Sequence, residues 1–262
     1  MRSSLRCALV TDVTDVTTIA ALLRDADRIV VLTGAGISTG SGIPDFRGPQ
    51  GVWTKDPTAE KRANIQHYIA DAEHRKTVWR ARADGDRWVG EPNAGHYALA
   101  ELERRASLDT LVTQNVDGLH HRAGSSPHKV IEIHGSLREV KCLGCGWRGP
   151  MEDTIERVRV GDDDPQCLEC GGMLKSATIS FGENLVPADL TRAQLAAASA
   201  DLFLAVGTSL VVYPVAGLPE LALRNGAPLV ILTAEETPFD AYAAAIARDR
   251  LEDVLPEIVD AI

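Results

Sequence analysis

The stretch RIVVLTGAGISTGSGIPDFRG, residues 28–48, decides the fold. Ile29-Val30-Val31-Leu32 is an unbroken apolar run and reads as a strand buried on both faces. Glycines directly after such a strand mark a backbone turning tightly around a phosphate. The spacing is not that of the hydride-transfer dinucleotide fingerprint G-x-G-x-x-G. Gly34 and Gly36 fit, position 39 is Thr, and Gly40 comes one place late. No clear second strand with an acid about twenty residues on follows either. Instead Asp45, Phe46 and Arg47 sit in the same loop. This turn belongs to a nucleotide site with additional chemistry beside it.

Outward from that turn, strand and helix alternate. Residues 15–27 and 91–106 show helical spacing, the second opening near Pro92 or Asn93 with Leu99 and Leu102 facing inward. Strands are expected at 109–115, 129–135, 177–183, within 201–210 and within 228–234. Helices are expected at 187–200, 215–226 and 251–262. Residues 49–92 carry no strong strand and read as a helical insert. The fold class is α/β: a Rossmann-like doubly wound parallel sheet, to which the motifs quoted below add, by resemblance, a smaller zinc-binding and helical domain. Residues 1–48, 107–140 and 176–262 are assigned to the nucleotide-binding domain, and 49–106 with 141–175 to the smaller one. Ligands in such sheets lie beyond the carboxyl ends of the strands. GAGIS, QNVDGLH, HG, FGE and GTSL follow those ends.

The chain has 262 residues, 45% of them hydrophobic, and a net charge of −10. That composition supports one large core, or one core with a small satellite module. The charge disfavours direct binding to nucleic acid or an anionic membrane, and weakly admits a basic protein substrate. The opening MRSSLRCALV holds no long apolar stretch, so neither a signal peptide nor a membrane span is expected. The expected location is cytoplasmic and reducing. Cys7 stands alone and reads as an inert thiol.

The other four cysteines form two knuckles, Cys142-x-x-Cys145 and Cys167-x-x-Cys170, each followed by glycine. Two such knuckles about twenty residues apart make a four-thiolate zinc site. Four thiolates close the coordination sphere, so the one Zn2+ is structural. The acidic segment between the knuckles argues against a nucleic-acid-binding ribbon, and its Asp162-Asp163-Asp164 reads as solvated.

GAGIS at 34–38, GIPDFRG at 42–48, TQNVDGLH at 113–120, IHG at 133–135, the paired C-x-x-C, FGE at 181–183 and GTSL at 207–210 occur in that order. The chain thereby resembles the sirtuin family of NAD-dependent protein-lysine deacylases, from about residue 15 to the C-terminus. The resemblance implies NAD as a consumed co-substrate and acylated-lysine proteins or peptides as partners. It implies that Gly34, Ala35, Gly36 and Ser38 receive the pyrophosphate. Asp45, Phe46 and Arg47 belong to a loop closing over the nicotinamide end. Gln114, Asn115 and Asp117 bind ribose and carboxamide. Gly207, Thr208, Ser209 and Thr233 receive the adenosine end, with Thr233 standing where the family usually has Asn. His134 is the catalytic base, with Asn115 beside the reacting ribose. Phe181, Gly182, Glu183 and Val211, with Val212, border the peptide cleft.

The implied reaction attacks the ribose carbon with the acyl oxygen of an acyl-lysine and expels nicotinamide. His134 then activates a ribose hydroxyl, yielding lysine and acyl-ADP-ribose. Deacetylation is the first expectation. Desuccinylation or another deacylation, mono-ADP-ribosyl transfer, and a non-catalytic NAD or ADP-ribose sensor are the alternatives. Members preferring acidic acyl groups use a Tyr-x-x-Arg pair in the helical insert, where this chain has Trp79-Arg80-Ala81-Arg82.

Overall fold

The computed structural model describes residues 14–85 and 90–262; Cys7 lies outside them. Six parallel strands form the main sheet: β1 (Ile29–Thr33), β2 (Leu108–Thr113), β3 (Val130–Glu132), β7 (Leu202–Val206), β8 (Leu229–Leu232) and β9 (Ala245–Ala247). Their order is β3-β2-β1-β7-β8-β9. The chain runs outward from β1 to β3, then returns to β7 on the other side of β1, which puts the topological switch point between β1 and β7. Every residue of β1, β7 and β8 is buried.

Alternation along β1 explains the two covering layers. Ile29 and Val31 face a core built with Ile19, Leu99, Leu102, Leu255 and Ile258, which come from helices Val16–Arg24, Ala94–Arg105 and Leu251–Asp260. Val30 and Leu32 face Ala193, Ala197, Leu218 and Ala222, from helices Pro187–Ala198 and Leu218–Arg224. The small alanines let the second layer approach closely.

The strand expected at 177–183 does not join this sheet. It is β6 (Leu174–Thr178), which pairs antiparallel with β4 (Gly135–Cys142); β5 (Arg148–Pro150) completes a three-stranded sheet. Apolar content alone could not distinguish a fourth parallel strand from the return strand of the cysteine unit. The assignment of 107–140 and 176–262 to the main domain therefore loses most of β4 and the end of β6 to the smaller unit. The sequence pattern does not announce β9: Ala245-Ile246-Ala247 is short and alanine-rich, and becomes a strand through pairing with β8.

The helical insert holds Val52–Lys55, Pro57–Arg62, Ile65–Ala70 and Ala72–Ala83. Trp79 on the last of these is 1% exposed and packs with Val140, Ile155, Val158 and Leu174 of the cysteine unit. The acidic triplet is not merely solvated. Asp162 pairs with Arg157, Asp163 with Arg80, and Asp164 with Arg75. The last two ion pairs join the two inserted segments into one smaller layer. Among the described residues no helix is long and apolar enough to cross a membrane.

Candidate active site

A cleft of about 970 Å3 runs along the carboxyl ends of the main strands and on against the smaller layer. Its floor is the switch point. There the turn after β1 and the turn after β7 cross backbone against backbone. A Cβ on Gly34 would sit 2.7 Å from the Gly207 oxygen, and one on Gly36 would sit 2.7 Å from Gly207 Cα. Gly207 has φ +59°, a left-handed conformation that costs a side-chain-bearing residue about 1–2 kcal/mol. The amides of Gly34 and Gly36 donate to Val206 and Gly207 carbonyls at 3.0 and 2.9 Å. These glycines therefore serve the crossing itself, and their amides are already engaged. Ala35 opens the following 3-10 turn, so its amide has no carbonyl partner within that turn.

Ser38 is 1% exposed and points inward. Its hydroxyl donates to Asp117 Oδ2 at 2.8 Å and accepts from Asn115 Nδ2 at 3.1 Å. Asn115 Nδ2 also donates to the Gly34 carbonyl at 3.1 Å. Ser38 thus belongs with Asn115 and Asp117 rather than with the phosphate end. Burial raises the Asp117 carboxyl, partly offset by the Leu119 amide and the Ser38 hydroxyl. A carboxylate held in this way can receive an amide donor.

Beneath this network lies a residue that sequence reading missed. His96 is fully buried, with Nε2 3.4 Å from Ser38 Oγ, and desolvation lowers its pKa to about 4. The signal lay in Pro92-Asn93-x-x-His96. Asn93 caps helix Ala94–Arg105 while its Nδ2 donates to the Ile37 carbonyl at 2.8 Å, and His96 Nδ1 accepts the Asn93 amide. A cap thereby latches a helix to the glycine-rich turn. His120 packs beside it, with Nε2 2.9 Å from Thr33 Oγ1.

His134 follows β3 and lines the cleft. Its Nδ1 lies 3.1 Å from the Gln114 carbonyl. A carbonyl only accepts, so Nδ1 carries the proton and Nε2 keeps its lone pair. Desolvation lowers the imidazole pKa, which keeps the ring neutral. Gln114 Nε2 donates to Thr208 Oγ1 at 2.8 Å, tying the turn after β2 to the turn after β7. Gly207, Thr208, Ser209 and Thr233 line the far end of the cleft.

Asp45 organises the next loop: Oδ1 accepts the Gly48 amide at 3.1 Å, and its carbonyl accepts from Val52. Phe46 packs tilted against Trp53, with ring centroids 4.7 Å apart, and Trp53 meets Phe181 at 5.4 Å. The Arg47 guanidinium lies 4.4 Å over the Trp53 ring. This places it on an aromatic face rather than on the glycine turn.

Phe181, Gly182 and Glu183 line the cleft. Glu183 has both oxygens engaged, accepting from Lys141 Nζ at 2.7 Å, Lys175 Nζ at 2.9 Å and the Ser180 amide at 2.8 Å. Val211 is exposed outside the cleft, whereas Val212 lines it. Trp79 is committed to the core, whereas Arg82 reaches the cleft wall with Nη2 3.4 Å from Ser176 Oγ.

The four cysteines converge as their spacing implied. All four Sγ atoms lie within 4.8 Å of one another, with Cys142–Cys170 at 3.5 Å and Cys145–Cys167 at 3.7 Å. A tetrahedron with ~2.3 Å Zn–S bonds has edges of about 3.8 Å, so the sulfurs fit zinc. Gly146 and Gly171 have φ +76° and +72°, the conformation each knuckle needs after its second cysteine. The Gly144 and Gly172 amides donate to Cys142 and Cys170 sulfurs, each at 3.3 Å.

With this geometry in hand, comparison with known proteins is specific. The model of the Sir2 family matches residues 34–214. A protein of Streptomyces coelicolor called NAD-dependent protein deacetylase 2 is 48% identical over 231 residues, covering 88% of this chain and 96% of that one. NAD-dependent protein deacetylase 1 of Pyrobaculum aerophilum is 42% identical over 251 residues, covering 92% of each. A solved Sir2 structure with a deacetylated p53 peptide and 3'-O-acetyl ADP ribose superposes with a TM-score of 0.85 at 35% identity, covering 94% of this chain and 98% of that one. The chain belongs to the Sir2 family.

Proposed function

We propose that this chain removes acetyl groups from protein lysines at the expense of NAD. Acetyl-lysine, NAD and water become lysine, nicotinamide and 2'-O-acetyl-ADP-ribose. The observation that carries the reading is the His134 imidazole, fixed by the Gln114 carbonyl with Nε2 as acceptor, in one cleft with the Ser38–Asn115–Asp117 network. A sensor has no use for a neutral base in the same cleft as this amide–carboxylate network.

NAD supplies the electrophilic ribose carbon when bound. Ala35, Thr208, Ser209 and Thr233 are the groups we assign to its phosphate and adenosine portions, and Asp117 and Asn115 to its nicotinamide and ribose. Phe46, backed by Trp53, excludes water from the reacting face. His134 Nε2 takes the proton of a ribose hydroxyl. The zinc cluster holds the smaller layer together, and Trp79 carries that order to the helical insert. A four-thiolate site also fits a reducing compartment, and we assign the protein to the cytoplasm on that ground.

Nicotinamide release from NAD with an acetyl-lysine peptide tests the reading. Release should track deacetylation and fall roughly 10²–10⁴-fold in His134→Ala. NAD binding without release, with any acyl peptide, would leave a sensor.

A further inference from the structure

The cleft has two walls near its mouth. One is the segment after β6, residues 179–190; the other is the segment after β7, residues 207–214. The Ile179 amide donates to the His134 carbonyl at 2.7 Å, so the first wall starts at the catalytic histidine. It is then pinned from behind. Phe181 N–H donates to the Ala63 carbonyl at 3.1 Å, and Ile65 N–H donates to the Phe181 carbonyl at 2.9 Å.

From these walls Phe181, Leu185, Leu190, Val212, Tyr213 and Pro214 face the cleft. Phe181 is 36% exposed and Tyr213 is 68% exposed. Together these side chains leave an apolar rim at the mouth of the site, and such a patch marks an interaction surface. The charge pattern is as informative. Among the described residues, Glu183 is the only charged side chain that these two segments contribute to the cleft. Both of its oxygens are held by Lys141, Lys175 and the Ser180 amide. A cation beside the acyl-lysine would find no free carboxylate there. An anion would have to draw the lysines from Glu183, which leaves a half-buried carboxylate short of partners. The net charge of −10, which by itself favours basic partners, does not reach these walls.

Within the peptide cleft that the family resemblance already implies between residues 179–190 and 207–214, we propose that this site selects acyl-lysines flanked by apolar residues, with Tyr213 as a specificity-determining contact. The proposal rests on the deacylase reading above and names the class of sequence that the site accepts.

The test uses three acetyl-lysine peptides of equal length, identical except that the residues on either side of the acetyl-lysine are Leu, Asp or Lys. Nicotinamide release is measured in the zinc-loaded full chain. The Leu-flanked peptide should have kcat/KM roughly tenfold above either charged one, the scale of burying one aliphatic side chain in a partly open site. Tyr213→Ser should raise the KM of the Leu-flanked peptide several-fold, within the range of losing one aromatic contact, with the KM for NAD unchanged. Since Tyr213 is largely in solvent, this variant should melt with the parent. Equal or better turnover of the Lys- or Asp-flanked peptide overturns the proposal while leaving the deacylase reading intact. A Tyr213→Ser enzyme that keeps the full preference overturns the role given to that residue. Absence of release with all three peptides overturns the deacylase reading and this inference with it.

Discussion

Replacing Asp164 with Ala should destabilise the protein far more than replacing its neighbour Asp163, although both form ion pairs with arginines of the same helix. The difference lies in burial. Arg75 is 8% exposed and uses every face of its guanidinium. Nε donates to both Asp164 oxygens at 3.1 Å, Nη2 donates to Oδ2 at 2.8 Å, and Nη1 donates to the Tyr68 and Ile69 carbonyls at 3.1 and 2.9 Å. Without Asp164, two of its three nitrogens lose their partner and the charge stays buried. Breaking such a pair from one side costs 3–5 kcal/mol when fully desolvated; Asp164 retains some solvent contact, so we take ~3 kcal/mol. For a chain of this length that lowers the melting midpoint by about 6 °C. The Arg80–Asp163 pair is about half exposed on both sides, so Asp163→Ala should not measurably shift the midpoint. The assay is thermal unfolding of both variants in zinc-containing buffer. The Tyr68–Ile69 turn held by Arg75 leads back to Asn64, which bridges Phe181. Asp164→Ala should therefore also raise the peptide KM more than the NAD KM. Equal midpoints for the two variants would refute the argument from burial.

Four further outcomes are expected. His96 is held neutral by desolvation, with a folded pKa of about 4 against 6.5 when unfolded. Its contribution is therefore complete above pH 6.5 and lost as pH falls toward 4, up to ~3 kcal/mol, and urea midpoints across that window should follow this sign. Deacetylation should need neutral His134, whose pKa lies below the usual value; a pH–rate profile should stay level down to the ordinary histidine range and decline only at lower pH. Gly36→Ala places a Cβ 2.7 Å from Gly207 Cα and should cost roughly 10–100-fold in kcat/KM for NAD by displacing the crossing turns. Metal analysis should find one zinc per chain, and chelation should abolish deacetylation and expose Trp79 to fluorescence quenchers.

Local patterns carried most of the fold. The apolar runs of β1, β2, β7 and β8 and the caps at Asp15 and Asn93 are signals within a few residues. The partner of β6 is not legible locally because the zinc knuckles choose it, and β9 is not legible because it exists through its neighbour. The same division holds in the cleft. His134, Asn115 and Asp117 stand in short motifs, and the structure brings them into one cleft. What the motifs could not show is how side chains are already engaged. Ser38 turns inward, Glu183 is held by two lysines, and the glycines of the first turn serve its crossing with Gly207. His96 reaches the site from a helix preceding β2, and no spacing rule links it to Ser38.

The strand order has a consequence for how the molecule assembles. β1, near the start of the described chain, pairs with β7, and both inserted segments lie between them in sequence. The middle of the main sheet therefore cannot close until most of the polypeptide is available, which makes that step slow. The cysteine unit has the opposite character, since β4, β5 and β6 and both knuckles lie close together along the chain. On the ribosome the metal cluster can mature before the nucleotide cleft exists. Refolding yield should depend more on zinc present at the outset than on zinc added after the sheet has formed.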